Sequence, residues 1–241
     1  MASPDEAREV NEDGSIIPDI LAHNLELAAT IVLAIAAVLT AWTAFQSSKW
    51  GGVQATSFSE AGAIRTESTR FSTLAGQEAQ VDISTFTNWL NALQADSRAG
   101  DVQPPSNAAD YQPDPETLSG FLFLRFREEF KPAVDAWLQT RPFTDPNAPP
   151  SPLDMPEYEL AARDTADELQ AGADQASQKA RDANQTSDDY VISAVLAALV
   201  LFFAGVSSKL IRPRNRVFVL ILALVVLIGT AIRVFSLPIV I

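Results

Sequence analysis

Acidic side chains are the commonest reactive groups in this chain. Thirty Asp and Glu stand against 17 Lys and Arg, a net charge of −13 over 241 residues. Three sets lie close together in sequence: Glu128-Glu129, Asp188-Asp189 and Glu157/Glu159. Paired carboxylates serve as general acid and base, or as calcium ligands. Residues i and i+1 point different ways on a helix, so a solvated acidic face is the expected reading of these pairs. The Asp13-Gly14 step lacks the rest of a calcium-binding loop. His23 is the only histidine and precedes the first apolar block, which excludes a Ser–His–Asp arrangement or a His-based zinc site in the middle of the chain. Without cysteine there are no disulfides, thiolate metal sites or Cys nucleophiles. No phosphate-cradling glycine loop or Gly-x-Ser-x-Gly elbow occurs, and Gly51-Gly52 reads as a kink or close-packing point. The expectation is a protein that is not an enzyme, with no catalytic residue, no cofactor and no metal. Nucleic acid is excluded as a partner, because its phosphates need a basic surface.

One charge differs in kind. Arg233 lies inside an apolar run, and ionisable groups in a membrane span mark a function or a specific partner. It follows Arg216 by 17 residues, about 25 Å of helix, so it falls near the end of its span. There it can snorkel, or pair with Asp188 or Asp189, and the pairing is expected. The run that carries it is one of three apolar blocks, 25–45, 190–207 and 217–236. A hydrocarbon core about 30 Å thick needs roughly 20 helical residues, so each block is long enough to span. The first block is expected to stay as an anchor rather than be cleaved, because residues 1–24 carry six acids and one Arg, the wrong sign for a signal peptide.

Orientation follows from the short loop 208–216, whose Lys209, Arg212, Arg214 and Arg216 place it in the cytoplasm. The expected product is a multi-pass protein of the cell (inner or plasma) membrane, with the lipid bilayer as its first partner. The acidic tail 1–24 is then cytoplasmic, although it adds only Arg8 to the count. Residues 46–189 and the end 237–241 are extracytoplasmic.

Between spans one and two the chain is acidic, with 11 basic and 22 acidic residues over 46–188. Its two arms, 46–98 and 157–189, read as helices leaving the membrane. In the returning arm Ala162, Ala166, Leu169, Ala173, Ala176, Ala180 and Ala183 alternate spacings of four and three, and the register continues through Ser187, Tyr190, Ala194 and Ala197. Such a seam keeps one helix face against a partner, and alanine implies close backbone approach. Ser57, Ala61, Ile64, Ser68, Phe71 and Ala75 offer the matching seam, until Glu78 interrupts it. A second short seam, Ile83, Phe86, Leu90 and Leu93, follows in a shifted register. The expected fold is all-α: three transmembrane helices with an extramembrane antiparallel hairpin, or alternatively a compact bundle, between spans one and two. Arg65, Glu67 and Arg70 offer surface ion pairs, Glu67 with Arg70, or fix the register of the arms. Proline-rich linkers 99–115 and 141–156 flank an amphipathic cap helix, 116–140, expected to pack on the hairpin tip, the alternatives being a partner-binding or a membrane-surface helix.

Several stretches are distinctive: AWTAFQSSKWGGVQA (41–55), RTESTR (65–70), FTNWLNA (86–92), RFREEFKPAVDAWL (125–138), PPSPLDMPEYEL (149–160) and FFAGVSSKL (202–210). With these the chain resembles a group of uncharacterised bacterial membrane proteins built from one N-terminal span, a helical insert and a C-terminal pair of spans. The resemblance implies that architecture and transfers no activity or site residue. The functional expectation is therefore a non-enzymatic scaffold or protein-interaction component, with a homo-oligomer or another membrane protein as companion. The alternative is a subunit of an oligomeric channel or transport assembly, to which the small residues Ala194, Ala197, Gly205 and Gly229 would lend tight packing.

Overall fold

The computed structural model describes residues 19–241, with side chains from His23 onward, so Arg8, Asp13 and most of the acidic tail lie outside the described residues. All regular structure among those residues is helical: α1 (Asp19–Ala99), α2 (Leu118–Phe123), α3 (Lys131–Gln139), a single 3-10 turn at Pro152–Asp154, α4 (Ala161–Ser207) and α5 (Pro213–Ser236). Three of these helices, α1, α4 and α5, are long and apolar enough to cross a membrane. The chain divides into two compact units. One holds the described residues up to Glu60 with Gln175–Ile241, the other Ala61–Asp174. Both α1 and α4 contribute to each unit.

The first unit is a packing of apolar helices through small side chains. Ala36, Ala204 and Ala223 are buried with Val32, Val200 and Leu227 in one cluster. Small residues let helix backbones approach closely, which matters where lipid is as apolar as leucine and burial alone gives no drive to associate. Val38, Phe202, Phe218, Val225 and Ile232 face outward, as a lipid-contacting surface requires. Hydroxyls in the same segments turn inward to their own helices. Thr30, Thr40, Thr43, Ser193 and Thr230 each donate to the carbonyl four residues back. The basic loop is shorter than 208–216, because α5 begins at Pro213 and takes Arg214 and Arg216 into its first turns. Proline favours the first helical position, where its φ is already set and no N–H is needed.

The second unit is built on facing segments of α1 and α4. Ala61, Ser68 and Ala75 are buried on α1, as are Ala162, Ala166 and Ala173 on α4. The Ser68 hydroxyl donates to the Ala166 carbonyl at 2.8 Å, and Arg65 meets Asp174 at 3.2 Å. The register of Arg65 is thus fixed across the helices. Among the described residues, Glu67 and Arg70 make no ion pair with each other.

α1 stops at Gly100, whose φ of 86° is open only to a residue without Cβ strain. The N–H groups of Gly100 and Asp101 return to the carbonyls of Ser97 and Asp96, closing the helix end.

The fold corrects two further expectations from sequence. The cap 116–140 is not one helix: α2 and α3 are separated by residues 124–130. Pro132 sits in the first turn of α3 and clashes with any helical turn continued through residue 128. Ile83 is exposed, so the short seam does not begin there; Phe86 and Leu93 are buried instead beside Trp89.

Candidate functional site

Glu78 does not interrupt the α1 seam but occupies it. From Ala75 the four-three spacing continues through Glu78 and Asp82, so two carboxylates stand one turn apart on the face that carries the apolar contacts. Asp82 is fully buried. A buried carboxylate must be paired and hydrogen-bonded, and its partner comes from the break between α2 and α3. Arg127 donates through Nε to Asp82 Oδ1 and through Nη2 to Asp82 Oδ2, both at 3.1 Å. Its remaining nitrogen, Nη1, faces Glu78 at 3.6 Å and also pairs with Glu129. From the segment before α4, the Tyr158 hydroxyl donates to Asp82 Oδ2 at 3.2 Å. One guanidinium therefore ties three acids together, and Asp82 ties three stretches of chain.

The surroundings are aromatic. Phe86 and Trp89 on α1 meet Phe126, Phe130, Val134, Trp137 and Leu138 in one buried cluster. Trp89 is ringed by Tyr111, Phe123, Phe126 and Trp137, with centroids 5.6–6.4 Å away. Those with Tyr111, Phe126 and Trp137 are edge-to-face, and such pairs add stability beyond the area they bury. The proline-rich linkers pack on the same core. Trp137 Nε1 donates to the Pro149 carbonyl at 2.7 Å, and Trp89 Nε1 to the Tyr111 hydroxyl at 3.3 Å. Gly120 is required by close approach, since a Cβ there would collide with the Asp114 backbone carbonyl.

The contacts of this centre shift the ionisation of its groups. The Asp82 hydrogen bond, outweighing burial, raises the Arg127 guanidinium pKa well above its ordinary value. Burial first, and then the Asp82 carboxylate, push the Tyr158 phenol up to about 12. Tyr158 is therefore neutral at physiological pH and keeps the proton it donates to Asp82. A cleft of about 810 Å³ between the end of α1 and residues 104–106 and 143–144 has Arg98 as its single charged residue, so it presents no acid–base pair. No group of three or more His, Cys, Asp or Glu fit to hold a metal occurs among the described residues.

The acidic pairs read from sequence are dispersed. Glu128 binds Lys131 at 2.5 Å, while Glu129 joins Arg127. Asp188 accepts from the Asn184 amide and Asp189 from Arg233 at 2.7 Å. Glu157, Glu159 and His23 are exposed. The Arg233–Asp189 bond is the pairing its place in the span requires. Gly51 and Gly52 lie in α1, and a Cβ added to either would meet nothing within 4 Å, so among the described residues no element packs closely on them.

A second set of contacts gathers the segment after α5. Gln46, fully buried, gives its side-chain N–H to the Val240 carbonyl and accepts the Val240 N–H, both at 3.1 Å. Trp50 Nε1 and the Tyr190 hydroxyl both donate to the Pro238 carbonyl, at 3.0 and 3.1 Å. Comparison with protein-family models, curated proteins and solved structures finds no match for this chain.

Proposed function

We propose that the protein is a non-enzymatic component of the cell membrane that binds a protein partner through its inserted helical unit. The observation that carries this reading is an uncovered apolar row running along α2 onto its C-cap, Leu124. Leu118, Phe121 and Leu124, spaced by three, are 59%, 41% and 49% exposed, and the Arg125 guanidinium lies 3.4 Å over the Phe121 ring. A contiguous exposed row of large apolar side chains marks an interaction surface, unlike single scattered ones. Two inserts, each strongly acidic, repel one another, so the fitting occupant is a different protein with a basic rim around an apolar centre. Of the acids near this row, Glu78, Asp82 and Glu129 are engaged by Arg127, and Glu128 by Lys131. In the same reading 208–216 and the N-terminus are cytoplasmic and 46–189 is extracytoplasmic, as the four basic residues of the loop favour. Membership of the three-span bacterial group belongs to this proposal too.

The channel or transport alternative draws less support. The span hydroxyls donate back to their own helix carbonyls instead of forming a polar stripe. Cross-linking in native membranes tests the partner reading. It expects a heterologous adduct that Leu118→Ser/Leu124→Ser loses and that raised salt weakens. A strictly monomeric protein with no adduct overturns it.

A further inference from the structure

Two lysines near the end of the first span share one recess, and among the described residues neither meets an acid. Lys49 on α1 and Lys179 on α4 line a pocket of about 460 Å³ with Ser48, Gly52 and Glu60, and Val240 forms part of its wall. The chain has only four lysines, and nearly two acids for every base. Lys131 is paired with Glu128, yet among the described residues neither Lys49 nor Lys179 has a carboxylate within ion-pair distance. Two such cations lining one recess in so acidic a chain point to an anion from outside it.

The place of the recess says which anion. Lys49 follows Phe45, the last residue of the apolar block, by four residues, about 6 Å of helix rise. Trp42, Phe45 and Trp50 surround that level, and aromatic and basic anchors gather where the hydrocarbon core gives way to headgroups. The wall at Val240 is held by Gln46, so the recess has a fixed side. Two ammonium groups against the single Glu60 carboxylate leave one net positive charge, which suits a phosphodiester monoanion. The Ser48 hydroxyl, on the same wall, is a further donor for it.

We propose that this recess binds the phosphodiester of one phospholipid headgroup, with Lys49 and Lys179 as its cationic contacts. Free phosphate offers the same chemistry but no acyl chains to lie along the apolar helices.

Native mass spectrometry of the full chain released from micelles tests this with phosphatidylglycerol, with diacylglycerol of the same acyl chains, and with inorganic phosphate. The expected result is one retained phosphatidylglycerol, no retained diacylglycerol, and no displacement by phosphate at equal concentration. Each lysine-to-Gln substitution should weaken retention about five-fold, and Lys49→Gln/Lys179→Gln about 25-fold. Lys49→Arg/Lys179→Arg should restore it, and Glu60→Gln should leave it unchanged or tighter. Unaltered melting of each variant, followed by circular dichroism, keeps loss of binding distinct from loss of fold. Retention by the double Gln variant equal to the parent overturns the proposal. So does a loss at Glu60→Gln as large as at the lysines, or displacement by inorganic phosphate alone.

Discussion

Around Asp82 the charges do not balance: one guanidinium serves Asp82, Glu78 and Glu129. Removing either partner of the buried pair is destabilising, but the two removals are not equivalent. Asp82→Asn leaves Arg127 with two remaining acids, whereas Arg127→Met leaves three carboxylates facing one another, one fully buried. Asp82→Asn should cost about 2 kcal/mol and Arg127→Met about 3–4 kcal/mol. Thermal unfolding in detergent reads both; equal losses would refute this account. Tyr158 adds a second signature. Its phenol is held up at about 12 against an unfolded value near 10. A group whose pKa is raised by folding contributes fully below the unfolded value and loses its contribution as pH rises through the folded one. Stability relative to Tyr158→Phe should thus be level below pH 10 and decline from 10 to 12, in urea titrations across that range.

At the scale of elements, Arg233 joins α5 to α4 through Asp189, with side chains 39% and 32% exposed. Partial exposure discounts the bond, so Arg233→Leu should cost about 1 kcal/mol. An unchanged melting temperature in detergent would count against it. That pairing is legible in the sequence because a charge inside an apolar run has few places to go. The alanine seam of α4 is legible for a similar reason: period and residue size together specify a close-packed face. Asp82 is not, because an acid in a seam slot reads as an interruption until its cation is known, and Arg127 lies 45 residues away. The signal is present in the spacing, since Glu78 and Asp82 keep the four-three register of Ala75. The cap misleads for another reason. Its apolar residues follow a helical pattern on both sides of 124–130, and only Pro132 marks the break. Gln46 and its bond to Val240 have no periodic signature at all.

For the molecule as a whole, composition marks out the three helices long and apolar enough to cross a membrane, because 20-residue apolar blocks admit few other readings. Its direction across the bilayer is a separate matter, resting on four basic residues, two in the short loop after α4 and two in the first turns of α5. The lack of cysteine makes the proposed orientation simple to test. In intact cells, Ser106→Cys should react with a membrane-impermeant maleimide and Ser208→Cys should not. The reverse pattern would invert the assignment. Neither serine makes a contact on which its unit depends: Ser106 bonds to Asp110 at the surface and Ser208 to a carbonyl of its own helix end.

The partners of Asp82 lie 45 and 76 residues further along the chain. Closing loops of that size precedes any gain from the contacts they enclose, and such topologies fold slowly. A lone Asp82 also resists losing water before its cation arrives. The inserted unit is therefore expected to assemble late and in one step, after Tyr158 has been made. Until then α1 presents an acidic, aromatic face to solvent, and that interval is when a chaperone would find most to hold.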